Sequence, residues 1–115
     1  MTMELMIRDG DYVPGGGSFR TAEGAEELLE RVLFKLQARR GSFPLLPELG
    51  SQLYRLSSVK KSQREIMARQ YVAQALADEE ELEITGVTLS EENGQGWLSV
   101  SLRWRGEPLS VETGI

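Results

Sequence analysis

Six apolar residues at positions 25, 28, 29, 32, 33 and 36 fix what the first third of this chain can become. Ala25, Leu28, Leu29, Val32, Leu33 and Leu36 fall on one stripe only if the backbone is an α-helix. Thr21 is placed to cap its N-terminus, and Glu23, Glu26 and Glu27 suit the positive end of the dipole. Lys35, Arg39 and Arg40 suit the other end, with Gly41 as the residue that leaves the helix. Such a stripe needs an apolar surface to cover it.

The C-terminal third supplies that surface. Leu98, Val100, Leu102 and Trp104 alternate with Ser99, Ser101 and Arg103, the period of a half-buried strand. Leu82, Ile84, Val87 and Leu89 alternate too, with Gly86 marking a bulge where the phase slips. Turns at Glu91-Glu92-Asn93-Gly94 and Arg105-Gly106-Glu107-Pro108 then give a three-stranded antiparallel meander ending near Glu112. Trp104 belongs to the core, whereas Trp97, on the other face, is an edge anchor or a surface contact. At the N-terminus, Met3, Leu5 and Ile7 alternate before Asp9-Gly10 and Asp11-Tyr12-Val13, the pattern of a short hairpin. Pro14 and Gly15-Gly16-Gly17 end it in a loop, with neither a Gly-Lys-Ser/Thr nor a G-x-G-x-x-G phosphate signature.

Between helix and meander lies GSFPLLPELGSQLYRL, residues 41–56. Its prolines and glycines forbid a continuous helix, yet it is rich in leucine. Pro44, Pro47 and Gly50 leave room for a short turn around Glu48–Tyr54. Leu45, Leu46, Leu49 and Leu53 are then expected to plug the gap between helices and sheet. A second helix follows, opened by the S-x-x-E box at Ser62–Glu65 or earlier by Ser57 or Ser58. Ala68, Tyr71, Val72, Ala75 and Leu76 form its apolar face, with Ile66 and Met67 on the flank. The order ββ-α-irregular-α-βββ predicts an α+β fold, two main helices on one face of a small antiparallel sheet. Residues 1–115 are expected to be a single domain, with hairpin and glycine-rich loop in 1–20 and the core in 21–112.

Composition narrows the chemistry. Thirteen basic and eighteen acidic residues give a net charge of −5, unsuited to nonspecific nucleic-acid or anionic-membrane binding. The N-terminus has no signal-peptide pattern and no apolar run is long enough to span a bilayer, so a cytoplasmic setting is expected. The chain has no cysteine and no histidine. Thiol and imidazole nucleophiles, disulfides and the usual zinc ligands are therefore excluded, and no cofactor, metal or small-molecule substrate is expected. An enzyme built from this chain would have to work with carboxylates, Lys, Tyr or backbone groups. Asp78-Glu79-Glu80-Glu81, with Glu83 beyond, sit where the second helix ends, against the dipole's preference. They form either a solvated link or a functional patch for a basic partner. A glycosidase pair requires one carboxyl in an apolar pocket, and neighbouring residues in an acidic run do not provide it. Leu109 and Val111, on the last strand, offer a sheet edge for strand addition.

Taken in order, "LLERVLFKLQARRG", "LPELGSQLYRL" and "VAQALADEEELEITGVTL" resemble the small baseplate wedge family of contractile phage tails. This is the W-protein and gene 25-product, or tail-lysozyme-like, family, which includes the sheath-initiating subunit of type VI secretion systems. The likeness runs from about Ala22 to Leu102. Its most specific part is P-x-x-G-S-x-L at Pro47, Gly50, Ser51 and Leu53. The family's Glu-Pro-Arg junction is altered: Glu79 holds the Glu position, while Glu80 and Glu81 stand in place of Pro and Arg. The resemblance implies a structural, non-enzymatic subunit that joins wedge proteins and initiates the contractile sheath by strand exchange. It would assemble in the cytoplasm and remain in the particle, be it phage, prophage, bacteriocin or secretion system. Glu79, Glu80, Glu81, Leu109 and Val111 would make the partner contacts. The alternatives are a peptidoglycan-cleaving tail enzyme and a regulatory adaptor with the same fold.

Overall fold

The computed structural model describes residues 24–115 together with the backbone of 5–8 and 11–13. The glycine-rich loop at 14–17 and the Thr21 cap lie outside the described residues. Strands β1 (Leu5–Arg8) and β2 (Asp11–Val13) pair antiparallel, as the hairpin pattern predicts. Helix α1 (Ala25–Gln37) follows, then 3₁₀ turns at Leu53–Ser58 and Lys61–Gln63, then α2 (Arg64–Ala75). The chain ends in β3 (Leu82–Glu92), β4 (Gln95–Trp104) and β5 (Glu107–Gly114).

The fold is α+β, with α1 packed on β5 and α2 on β3. The predicted stripe is the core: Ala25, Leu28, Leu29, Val32, Leu33 and Leu36 are all buried, against Val87, Leu98, Val100, Leu102, Trp104, Leu109 and Val111. Each of the larger α1 side chains contributes roughly 1.5–3 kcal/mol by leaving water. On α2, Ala68, Tyr71, Val72, Ala75 and Leu76 are buried while Ile66 is half exposed. The N-cap residues, Gly24 on α1 and Gln63 on α2, make no side-chain cap bond. Gly24 occupies the N-cap of α1, in the left-handed region at φ 87°, and its carbonyl accepts the Leu28 N–H at 2.9 Å. A side chain there would also meet the Trp104 ring. Ser62 lies in a 3₁₀ turn, so the capping box does not form.

Two-residue hairpin turns join the meander. Asn93 and Gly94 (φ 53° and 79°) connect β3 to β4, and Arg105 and Gly106 (φ 51° and 82°) connect β4 to β5. Positive φ at both positions suits the right-handed strand twist. The register slips between Ile84 and Gly86, at the expected bulge.

Two expectations change. The sheet has five strands in the order β2-β1-β5-β4-β3, and β1 runs parallel to β5. Leu5 sits opposite Leu109 and Ile7 opposite Val111, so β5 is an interior strand rather than an open edge. Leu109 and Val111 are themselves buried beneath the helices. Among the described residues the free edges are β2 and β3.

The leucine-rich segment also departs from expectation. Leu53 and Leu56 are core, but Leu45 is 94% exposed, Leu46 57% and Phe43 36%. Of the four leucines expected to plug the gap, Leu53 does so from the 3₁₀ turn at Leu53–Ser58 packed on α2, Leu49 is half-buried, and Leu45 and Leu46 stay outside. Residues 40–50 instead form a loop that leaves and rejoins the body at one place, where Arg39 and Ser51 bridge.

Candidate functional site

The acidic junction after α2 folds back onto α1. Arg31 and Lys35, four residues apart, share one face of α1. Arg31 grips Glu79 through two hydrogen bonds, Nε to Oε2 at 2.7 Å and Nη2 to Oε1 at 2.8 Å. Lys35 Nζ donates to Glu79 Oε2 at 2.6 Å and to Asp78 Oδ1 at 2.9 Å. The Glu79 side chain is only 6% exposed and that of Lys35 11%. The Arg31 bonds draw the Glu79 carboxyl from 4.5 down to about 2; burial pushes the other way, and Lys35 adds to the pull. Burial is the largest influence on Lys35 and lowers its pKa, but the bonds to Glu79 and Asp78 together outweigh it and leave it raised.

Glu79 is therefore a structural anchor that stays ionised at neutral pH, with both oxygens committed inside the chain. That changes its expected place in a partner-facing patch. Glu80 and Glu81 remain on the surface. Glu81, at φ 60°, pairs with Arg105 at 2.6 Å between two side chains that are more than half exposed. An exposed pair of this kind is worth about 0–1 kcal/mol and exchanges readily for another partner.

The positions Pro47, Gly50, Ser51 and Leu53 hold the base of the exposed loop. Ser51 is buried; its Oγ donates to the Leu36 carbonyl at 2.6 Å, covering an open carbonyl in the last turn of α1. Its N–H donates to Ala38 O at 2.8 Å, and its carbonyl accepts from Arg40 N at 2.9 Å. Gly50 adopts φ 101°, and a Cβ there would lie 2.6 Å from the Ala38 carbonyl oxygen, so no other residue fits. Leu53 enters the core two residues later, whereas Pro47 is exposed within the loop. Above this clamp the tip carries Phe43, Leu45 and Leu46, with the Phe43 ring 6.2 Å from that of half-exposed Phe34 on α1. Arg39 stacks 4.0 Å over the ring of Tyr54.

A groove of about 910 Å³ opens elsewhere, walled by Leu36, Leu53, Leu56, Leu89 and Ile115 and bordered by the carboxylates Glu65 and Glu91. Glu65 makes an i,i+4 pair with Arg69 at 3.4 Å. Among the described residues no helix is long and apolar enough to cross a membrane.

The sequence singles out the acidic run but misses its partners, although the i,i+4 spacing of Arg31 and Lys35 already sets two cations side by side. The exposed tip carries no sequence signal that separates it from core.

No protein-family description and no curated protein matches the chain. A crystal structure from Geobacter sulfurreducens, of a protein provisionally described as a tail lysozyme, is similar in fold at a TM-score of 0.70 and 20% identity. The match covers 85% of this chain and 95% of that one. The chain thus shares its fold with the Geobacter protein over most of both chains.

Proposed function

We propose that the chain is a structural subunit of a phage tail or tail-like contractile particle, joining baseplate wedge proteins and initiating the sheath. The fold shared with the Geobacter protein over most of both chains carries this reading. Glu79 supports the non-enzymatic side of it. A general acid in glycoside hydrolysis needs a raised pKa, and the Arg31 pair moves this carboxyl the opposite way.

Partner contacts in this reading use Glu80 and Glu81 for a basic neighbour, and a free sheet edge for strand pairing. β3 offers its outer edge directly. Leu109–Val111 would serve only if the short parallel strand β1 gave way, consistent with strand exchange. The particle would assemble in the cytoplasm. Replacing Glu80 and Glu81 with lysine should stop co-assembly with wedge and sheath proteins of the same particle while the chain stays folded. Normal assembly would remove the charged contact from the scheme, and a gene that lies among no tail genes, or no binding of the unaltered chain to their products, would sink the reading itself.

A second reading, cell-wall cleavage, follows from the description of the Geobacter protein and, among the described residues, would use the groove beside Glu65 and Glu91. Turbidity of a peptidoglycan suspension decides it. Lysis by the unaltered chain, lost in Glu65→Gln or Glu91→Gln, would replace the structural assignment.

A further inference from the structure

The loop at 40–50 spends its apolar side chains on solvent. Leu45 is almost wholly exposed, Leu46 and Phe34 are half exposed, and Phe43 leans on Phe34. Leucines held out of the core in this way lose the transfer free energy that burial would bring. The arrangement is nevertheless built, because Gly50 and Ser51 lock the base in a single geometry. Large apolar side chains held exposed on a rigid mount are a mark of an interaction surface.

Charge selects the occupant. The whole chain is acidic, at −5, yet residues 38–61 carry Arg39, Arg40, Arg55, Lys60 and Lys61 against Glu48 alone. Among the described residues none of those five cations is within ion-pair distance of a carboxylate. Arg39 is turned onto Tyr54, and Arg55 donates to the Gln52 side chain at 2.8 Å. Arg39 and Arg40 thus set two cations at the foot of the apolar tip, against Glu48 alone within the loop, on an otherwise acidic protein.

We propose that the tip, Phe34, Phe43, Leu45 and Leu46, with Arg39 and Arg40 at its base, docks an acidic amphipathic segment of a partner protein. The apolar tip supplies the desolvated anchors, while the arginines favour carboxylates and repel basic competitors. An anionic bilayer suits the tip and its arginines but meets repulsion from the acidic remainder of the chain, so a protein segment is the better match. A second copy of this chain would be a different occupant, and self-association through the tip would reveal it. The proposal deepens the assembly role by naming the partner's chemistry, and its test makes no use of tail proteins.

A display library of random 16-residue peptides is selected on the immobilised chain and on Phe43→Ser/Leu45→Ser/Leu46→Ser. The unaltered chain should enrich peptides combining Leu, Phe or Met with Asp or Glu. Binding of a synthetic copy of the leading peptide should fall about 10-fold or more in the triple variant. It should also weaken in Arg39→Glu/Arg40→Glu and in raised salt. Far-ultraviolet spectra and melting temperatures of the tip variant should match the parent, since the altered side chains are exposed. Enrichment without acidic residues, no enrichment, or equal binding by the triple variant would overturn the proposal. So would tip-dependent binding to phosphatidylglycerol vesicles without peptide binding, or tip-dependent dimerisation. If the peptides bind and no wedge or sheath protein does, the docking surface stands and the assembly role falls.

Discussion

Arg31 and Glu79 lie 48 positions apart and meet through two parallel hydrogen bonds, tying the middle of α1 to the link that leaves α2. With Lys35 beneath, the carboxylate closes the seam between the two helices. A charge this well enclosed is costly to strand, because its partner cannot regain its water.

Glu79→Gln should therefore destabilise the fold by about 2–4 kcal/mol in urea unfolding, chiefly by leaving Lys35 buried beside a neutral amide. Glu80→Gln, on the surface next door, should stay within about 0.5 kcal/mol. Equal effects from the two substitutions would show that the enclosed pair contributes nothing of its own.

The same carboxyl gives stability an acid limb. Its folded pKa, about 2, is below the unfolded value of 4.5, so the folded state favours the ionised form. The contribution is complete above about pH 4.5 and is lost as pH falls toward 2. It is at most about 3 kcal/mol, since half-exposed Arg31 shares its field with water. In Glu79→Gln this part of the acid limb should be missing from the pH dependence of unfolding.

Two leucines of one segment should respond in opposite ways. Leu53→Ala removes a core side chain and should cost about 2–4 kcal/mol. Leu45→Ala should change stability by less than about 0.5 kcal/mol. Thermal melts of the pair check directly that the tip lies outside the core.

Gly50→Ala forces a methyl group against the Ala38 carbonyl at a backbone angle that L-residues avoid. A loss of about 2 kcal/mol or more is expected, and Ser51→Ala should cost about 1–3 kcal/mol by uncovering the Leu36 carbonyl. Both should raise amide exchange at Ala38 to Arg40 before the rest of the protein responds.

What the sequence makes legible is what local periodicity encodes. The α1 stripe, the alternation from Leu98 to Trp104, the Asn93-Gly94 turn and the bulge before Gly86 each follow from a rule spanning a few residues. The parallel pairing of β1 with β5 joins opposite ends of the chain, and no local rule announces it. For the candidate site, the acidic run is visible but its meaning is not: Glu79 and Glu80 are adjacent and chemically identical, and only the approach of α1 makes one an anchor. Leu45 and Leu53 pose the same problem in the oily segment. Apolar composition suggests burial, but it does not reveal that the Arg39–Ser51 bridge sends part of the segment outward.

That bridge has an evolutionary consequence. Because the loop's fixed geometry resides in its two feet, replacing the toes alters what the protein recognises without taxing the fold. Folding alone would not constrain Leu45 or Leu46, so related chains should diverge fastest at the tip while retaining the glycine and serine below it. The loop is in that sense an exchangeable reading head, and specificity could drift from one lineage to another on an unchanged frame.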